Sequence, residues 1–220
     1  MKLNALGATA AALLLPLSGF AATTAFYQTD VGLGLDIPDN DPMGVSSTIE
    51  AVAGDTLLGF VPDGGGLIED VEVVISLDHT FIGDLIITLT SPEGTEITLL
   101  DRPSGDAAFD SSNLQGQSFI YFTDRSIVAA DTAGAGCDTN GIVGLDCQGI
   151  FAPVDVTTAL AGENLLGLWT LTISDNAGID TGDLNGWYIE IDFTPVPLPA
   201  SAWMLIAALG GLGLMRRRNA

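Results

Sequence analysis

Apolar and polar residues alternate with a period of two through much of this chain. In DVEVVISLD, Val71, Val73, Ile75 and Leu77 fall on one face, and in DLIITLT the same holds for Leu85, Ile87 and Leu89, continued after a turn by Ile97 and Leu99. Further on, LWTLTIS sets Trp169, Leu171 and Ile173 against Thr170 and Thr172, and GWYIEIDF sets Trp187, Ile189, Ile191 and Phe193 against Glu190 and Asp192. Successive side chains of an extended strand point to opposite faces, so each run predicts a half-buried strand. Pro92-Glu93-Gly94, Gly182-Asp183 and Asn185-Gly186 punctuate the runs with turn chemistry. No helical period of useful length and no internal repeat occurs between the ends. Many short strands joined by Gly/Asp turns predict an all-β fold, an antiparallel β-sandwich, with longer loops around one or two strands over 102–165.

The two ends depart from this pattern. Lys2 followed by ALGATAAALLLPLSGF reads as a signal peptide over residues 1–25, and residues 26–36 then read as a linker. Near the other end LPASAWMLIAALGGLGLM precedes Arg216, Arg217 and Arg218. At about 1.5 Å per residue a helix over about 198–215 would just cross a hydrocarbon core. The arginines would stay on the cytoplasmic side, so the expectation is export with transient anchoring in the inner membrane.

Charge narrows the function classes. All 28 acidic residues lie between Asp30 and Asp192, where the only basic residues are Arg102 and Arg125, so the body carries a formal charge of −26. Such a surface repels nucleic acid and excludes it as a partner. Cys137 and Cys147 bracket a short Gly-rich loop, and in an exported chain they predict a disulfide.

Three stretches then carry a resemblance. HTFIGDL (79–85), SPEGT (91–95) and GLWTL (167–171), the last followed by an Asp/Gly turn and the Trp187 strand, occur in that order. Together with IPDNDP they resemble the P domain, or Homo B domain, of the proprotein convertases, over residues 37–193. The resemblance implies a sandwich of jelly-roll type that follows the catalytic domain in kexin- and furin-like proteases. Subtilisin-type catalysis needs Asp, His and Ser brought together. Here the single histidine, His79, belongs to the P-domain motif with Gly83 and Asp84, so the expectation is a non-enzymatic module with no catalytic residue. Trp169 and Trp187 are expected in the core.

Residues 194–220 are similar to a PEP-CTERM sorting signal: the motif Val196-Pro197-Leu198-Pro199-Ala200, a membrane helix and the basic end Arg216–Arg218. This implies exosortase and the export machinery of a Gram-negative bacterium as partners, and release at the cell surface or into extracellular polysaccharide. Two alternatives stand beside that binding or structural role. One is a trans-acting stabilising accessory of a subtilisin/kexin-like serine endopeptidase, and the other a carbohydrate-binding jelly roll.

The aspartates are the remaining candidates. SDNAGIDTGDLNGW places Asp175, Asp180 and Asp183 close together, and Asp78 and Asp84 are expected at the same end of the fold. Calcium takes several hard oxygen ligands from flexible loops, although the spacing is not that of an EF-hand. Asx-turns and solvated acidic loops account for the same residues. Calcium at these five carboxylates is therefore the metal expectation. Asp36, Asp39 and Asp41 in DIPDNDP are expected to cap the first strand.

Overall fold

The computed structural model describes residues 22–29, 32–103, 114–127, 129–130 and 149–196. The strands are β1 (Thr23–Gln28), β2 (Leu35–Ile37), β3 (Asp41–Ala51), β4 (Gly54–Asp55), β5 (Phe60–Val61) and β6 (Gly66–His79). They continue as β7 (Leu85–Thr90), β8 (Glu96–Asp101), β9 (Leu114–Phe122), β10 (Gly149–Phe151), β11 (Gly167–Asp175) and β12 (Gly182–Pro195). One sheet runs β1-β12-β6-β9-β10, with β2 also on β12; a second runs β3-β11-β7-β8; β4 and β5 make a small ribbon.

The period-two runs build the interior. Val71, Val73, Ile75 and Leu77 of β6, Ile189, Ile191 and Phe193 of β12, and Leu171 and Ile173 of β11 are all buried in one cluster shared by both sheets. Each such side chain contributes about 1.5–3 kcal/mol by leaving water. Two tryptophans tie this core to polar partners. Trp169 is fully buried, and its indole N–H donates to the Leu165 carbonyl at 3.0 Å. Trp187 of the larger sheet donates to Ser47 Oγ of the smaller one at 3.0 Å.

The structure corrects the expected fold on three points. β10 pairs with β9 in parallel, and an isolated parallel bridge joins Ala129 to Ala152, so the larger sheet is mixed. A connection of more than two dozen residues between β9 and β10 makes parallel pairing possible, where a tight hairpin would force the antiparallel form. Among the described residues both sheets are open, with no strand shared between them to close a barrel or roll. Among the described residues no helix is long and apolar enough to cross a membrane; Ile82–Asp84 and Thr157–Leu160 are short 3-10 turns. The membrane helix expected over about 198–215, the inner membrane as partner and the anchored stage of export are corrected to this extent: no described residue belongs to a membrane-spanning helix, and residues 197–220 lie outside the described residues.

Several sequence readings lie outside the described residues: most of the signal peptide, the Cys137–Cys147 pair, Pro197–Ala200 and Arg216–Arg218. Residues 23–28, on the boundary between the expected signal peptide and linker, form β1 and pair with β12 from Thr23↔Phe193 to Gln28↔Tyr188.

Candidate functional site

One end of the fold gathers the end of β6, the 3-10 turn at Ile82–Asp84, the end of β11, and the turn leading into β12. His79 sits there, 1% exposed. Its Nε2 lies 3.3 Å from Asp175 Oδ2, and both side chains are fully buried. Neither atom has a partner in hydrogen-bonding geometry, so the contact is an electrostatic one, off the hydrogen-bond axis. On the other side of the ring, Nδ1 lies 2.9 Å from the Phe81 carbonyl and 3.1 Å from the Phe81 N–H. The Phe81 carbonyl can accept from a protonated Nδ1, and the Phe81 N–H can donate to a bare one. Both ring nitrogens thus face the protein interior, and the ring is closed to any substrate. The carboxylate that faces His79 belongs to Asp175, which comes from the other sheet.

The surrounding residues explain the spacing of HTFIGDL. Thr80 Oγ1 donates to Asp180 Oδ1 at 2.8 Å and accepts from Thr181 N–H at 2.9 Å, while Thr80 N–H donates to the Thr181 carbonyl. The Asp84 carbonyl accepts from Asn176 N–H at 2.9 Å. Gly182 faces His79 across the β12–β6 pair, and a Cβ there would stand 2.3 Å from the Asp78 carbonyl oxygen and 2.4 Å from the His79 ring. The motif is a clip fastening the turn after β6 to the 176–182 turn.

SPEGT makes a second clip. Ser91 Oγ donates to Glu163 Oε2 at 2.5 Å, and Thr95 Oγ1 donates to the other oxygen of the same carboxylate. Ser91 Oγ also accepts from Thr95 N–H at 3.2 Å, with Gly94 at φ 92° turning the chain between them. Gly167 of GLWTL is at φ 129°, and a Cβ there would stand 2.8 Å from Pro92 of this turn.

Of the five aspartates read as calcium ligands, Asp84, Asp175 and Asp180 are electrostatic neighbours. The Asp84 carboxyl is held above its usual range by burial first, then by the charges of Asp175 and Asp180; Arg102, 3.7 Å away, acts in the opposite direction. Asp78 Oδ2 accepts from Asn185 Nδ2 at 3.0 Å, and Asp183 is exposed opposite Asp78 in the strand register. Among the described residues no three His, Cys, Asp or Glu side chains converge as a group that could hold a metal ion. Asp39 and Asp41 serve as caps, accepting from Ile179 N–H and Met43 N–H.

A second cluster, which sequence reading missed, lies on the outer face of the larger sheet. Arg125 reaches Asp70 at 3.0 Å, Glu72 at 2.8 Å and Asp192 at 2.8 Å. Beside it is a cavity of about 300 Å³ lined chiefly by Glu72, Val74, Tyr121, Thr123, Arg125 and Ile150. The available signal was the outward register of β6 and β12, which puts Glu72 opposite Glu190 and Asp70 opposite Asp192.

Comparison with known proteins locates this architecture. The sequence profile of the proprotein convertase P-domain matches residues 68–191, more than half of the chain. Two curated relatives, each named a calcium-dependent protease, come from Trichormus variabilis and Nostoc sp.; they are 26% and 27% identical over 128 residues. Each alignment covers 57% of this chain and 14% of the relative, so this chain spans a small part of their length. Solved structures of an Aeromonas sobria serine protease, in complex with a chaperone and alone, align at 18% identity with TM-scores of 0.49 and 0.48. Those alignments cover 80% and 79% of this chain and 28% and 27% of those chains.

Proposed function

Because the chain belongs to the proprotein convertase P-domain family, we propose that it acts as a stabilising accessory of a subtilisin/kexin-like serine endopeptidase, supplied in trans. It is a non-catalytic P domain, distinct from the protease domains of its relatives. The observation that carries this reading is the enclosure of His79. The chain's one histidine is spent between Phe81 and Asp175 inside a structural clip, where general-base catalysis on a substrate has no access. The names of the two curated relatives support a protease as the partner.

Such an accessory acts by mass action. A partner that binds only the folded endopeptidase stabilises it by RT ln(1 + [L]/Kd), about 2.7 kcal/mol at a hundredfold excess over Kd. The test uses a subtilisin-type endopeptidase from the same source that lacks a P domain, heated with and without a molar excess of this chain. A longer half-life of activity, with no hydrolysis by this chain alone, is the expected result. An unchanged half-life at every excess overturns the reading.

The relatives' names and the crowding of Asp84, Asp175 and Asp180 raise calcium as a candidate at this end of the fold. The donor set does not fit a calcium cage: Asp180 accepts from Thr80, Asp78 from Asn185, and Asp175 faces His79. No step of the proposed function runs through the metal.

A further inference from the structure

On the outer face of the larger sheet, the strand registers line up two rows of side chains. Gln28, Tyr188, Val74, Tyr121 and Ile150 are successive partners across β1, β12, β6, β9 and β10. Two residues along, Phe26, Glu190 and Glu72 make the next row, and Asp192 with Asp70 follow beyond it. The first row is apolar in its centre. Tyr121 and Ile150 are 36% and 58% exposed, and with Val74 they wall the cavity of about 300 Å³. Tyr188 stacks obliquely on Phe26, with ring centroids 4.9 Å apart, and its hydroxyl is held above its usual range by burial first and then by Tyr121.

The second and third rows are electrostatically unbalanced. Asp70, Glu72, Glu190 and Asp192 stand against the single guanidinium of Arg125. Burial, and then repulsion from Glu72 and Asp192, hold the Glu190 carboxyl above its usual range, with Arg125 offsetting only part. Asp70, Glu72 and Asp192 already show how this face takes a guanidinium, since all three hold Arg125. An apolar wall beside aromatic rings and Glu190, a carboxylate that Arg125 offsets only in part, is complementary to a cation on an apolar stem.

We propose that this face docks an extended segment of a partner protein that presents an apolar side chain to the Val74–Tyr121–Ile150 wall and an arginine or lysine to Glu190 and Glu72. Adjacent rows lie two residues apart along the strands, about 6.6–6.8 Å. Residues i and i+2 of an extended segment have the same separation and point the same way. The inference does not depend on the partner being a protease.

The probe is the peptide acetyl-Leu-Gly-Arg-amide, titrated into the full chain by calorimetry and by NMR, beside its citrulline analogue and acetyl-Leu-Gly-Glu-amide. The expected result is saturable binding with shifts at Tyr121, Tyr188 and Ile150. Citrulline, which keeps the shape and removes the charge, should bind about tenfold more weakly or not at all, and the glutamate peptide should not bind. Glu190→Gln should weaken the arginine peptide about threefold to tenfold, and Ile150→Ser, on an exposed edge strand, should weaken all apolar contact without unfolding the chain. Absence of binding, equal binding of the citrulline peptide, shifts mapping elsewhere, or indifference to both folded variants each overturns the proposal.

Discussion

His79 Nε2 and Asp175 Oδ2 stand 3.3 Å apart with no solvent reaching either side chain. The two residues are nearly a hundred positions apart in sequence and belong to different sheets, so their contact joins the β6 end of one sheet to the β11 end of the other. Asp175 has one further anchor, accepting from Ala177 N–H at 3.0 Å. A buried pair of this kind contributes little net stability when intact, yet losing one partner strands the other in a low-dielectric site.

His79→Ala should therefore destabilise the fold by about 3–5 kcal/mol. For a domain of this size that lowers Tm by roughly 10 °C. Thermal melts followed by circular dichroism check it, and a loss under 2 °C would show that Asp175 is not stranded.

Gly182→Ala should be nearly as damaging for a different reason. The new Cβ would meet the Asp78 backbone carbonyl and the His79 ring, neither of which can swing away. Overpacking of this kind costs about 1–3 kcal/mol. Gly178→Ala, whose Cβ would meet only Asn40 at 4.0 Å in the same turn, is the matched control and should leave the melt unchanged.

The pH dependence follows from Asp84. Its folded carboxyl titrates above the ordinary 3.8, chiefly through burial and then through Asp175 and Asp180. Between the unfolded and folded values the native state binds more protons, so stability falls as pH rises from about 3.8 through the raised value. Asp84→Asn removes that titration. The variant should melt higher than the parent at pH 7, and the difference should vanish below pH 4. A constant difference across that range would remove Asp84 as its source.

Divalent ions should act on this chain by screening. Its described carboxylates do not converge as ligands, so calcium and magnesium at equal concentration and fixed ionic strength should raise Tm equally, and Asp180→Asn should leave both shifts in place. A larger shift with calcium, lost in Asp180→Asn, would instead install a calcium site at Asp84, Asp175 and Asp180.

Ser91, Thr95 and Glu163 make the last test. Glu163→Gln keeps the size of the acceptor and halves its acceptor capacity, so one of the two hydroxyls loses its carboxylate oxygen. A loss of about 1–3 kcal/mol in denaturant melts is expected, and Ser91→Ala in the Glu163→Gln background should add less than it costs alone.

What the sequence determined by itself was everything that repeats locally. A strand's period of two is a property of one backbone, so Val71 to Leu77 and Ile189 to Phe193 announce their buried faces without any partner. Gly94 and the turn residues around it do the same. Motif order likewise pointed to the P-domain family, because HTFIGDL, SPEGT and GLWTL each encode a local backbone shape. Only the tertiary structure decided which distant groups meet. Nothing near His79 in sequence marks Asp175 as its neighbour, nothing in SPEGT marks Glu163, and the parallel pairing of β10 on β9 depends on the path of a long connection. Charge behaved in the same way: the composition showed an excess of carboxylates, but strand register alone placed Glu72 beside Glu190 and left an apolar wall next to them. Pair contacts between strands depend on register and sheet order, which are collective properties of the whole fold.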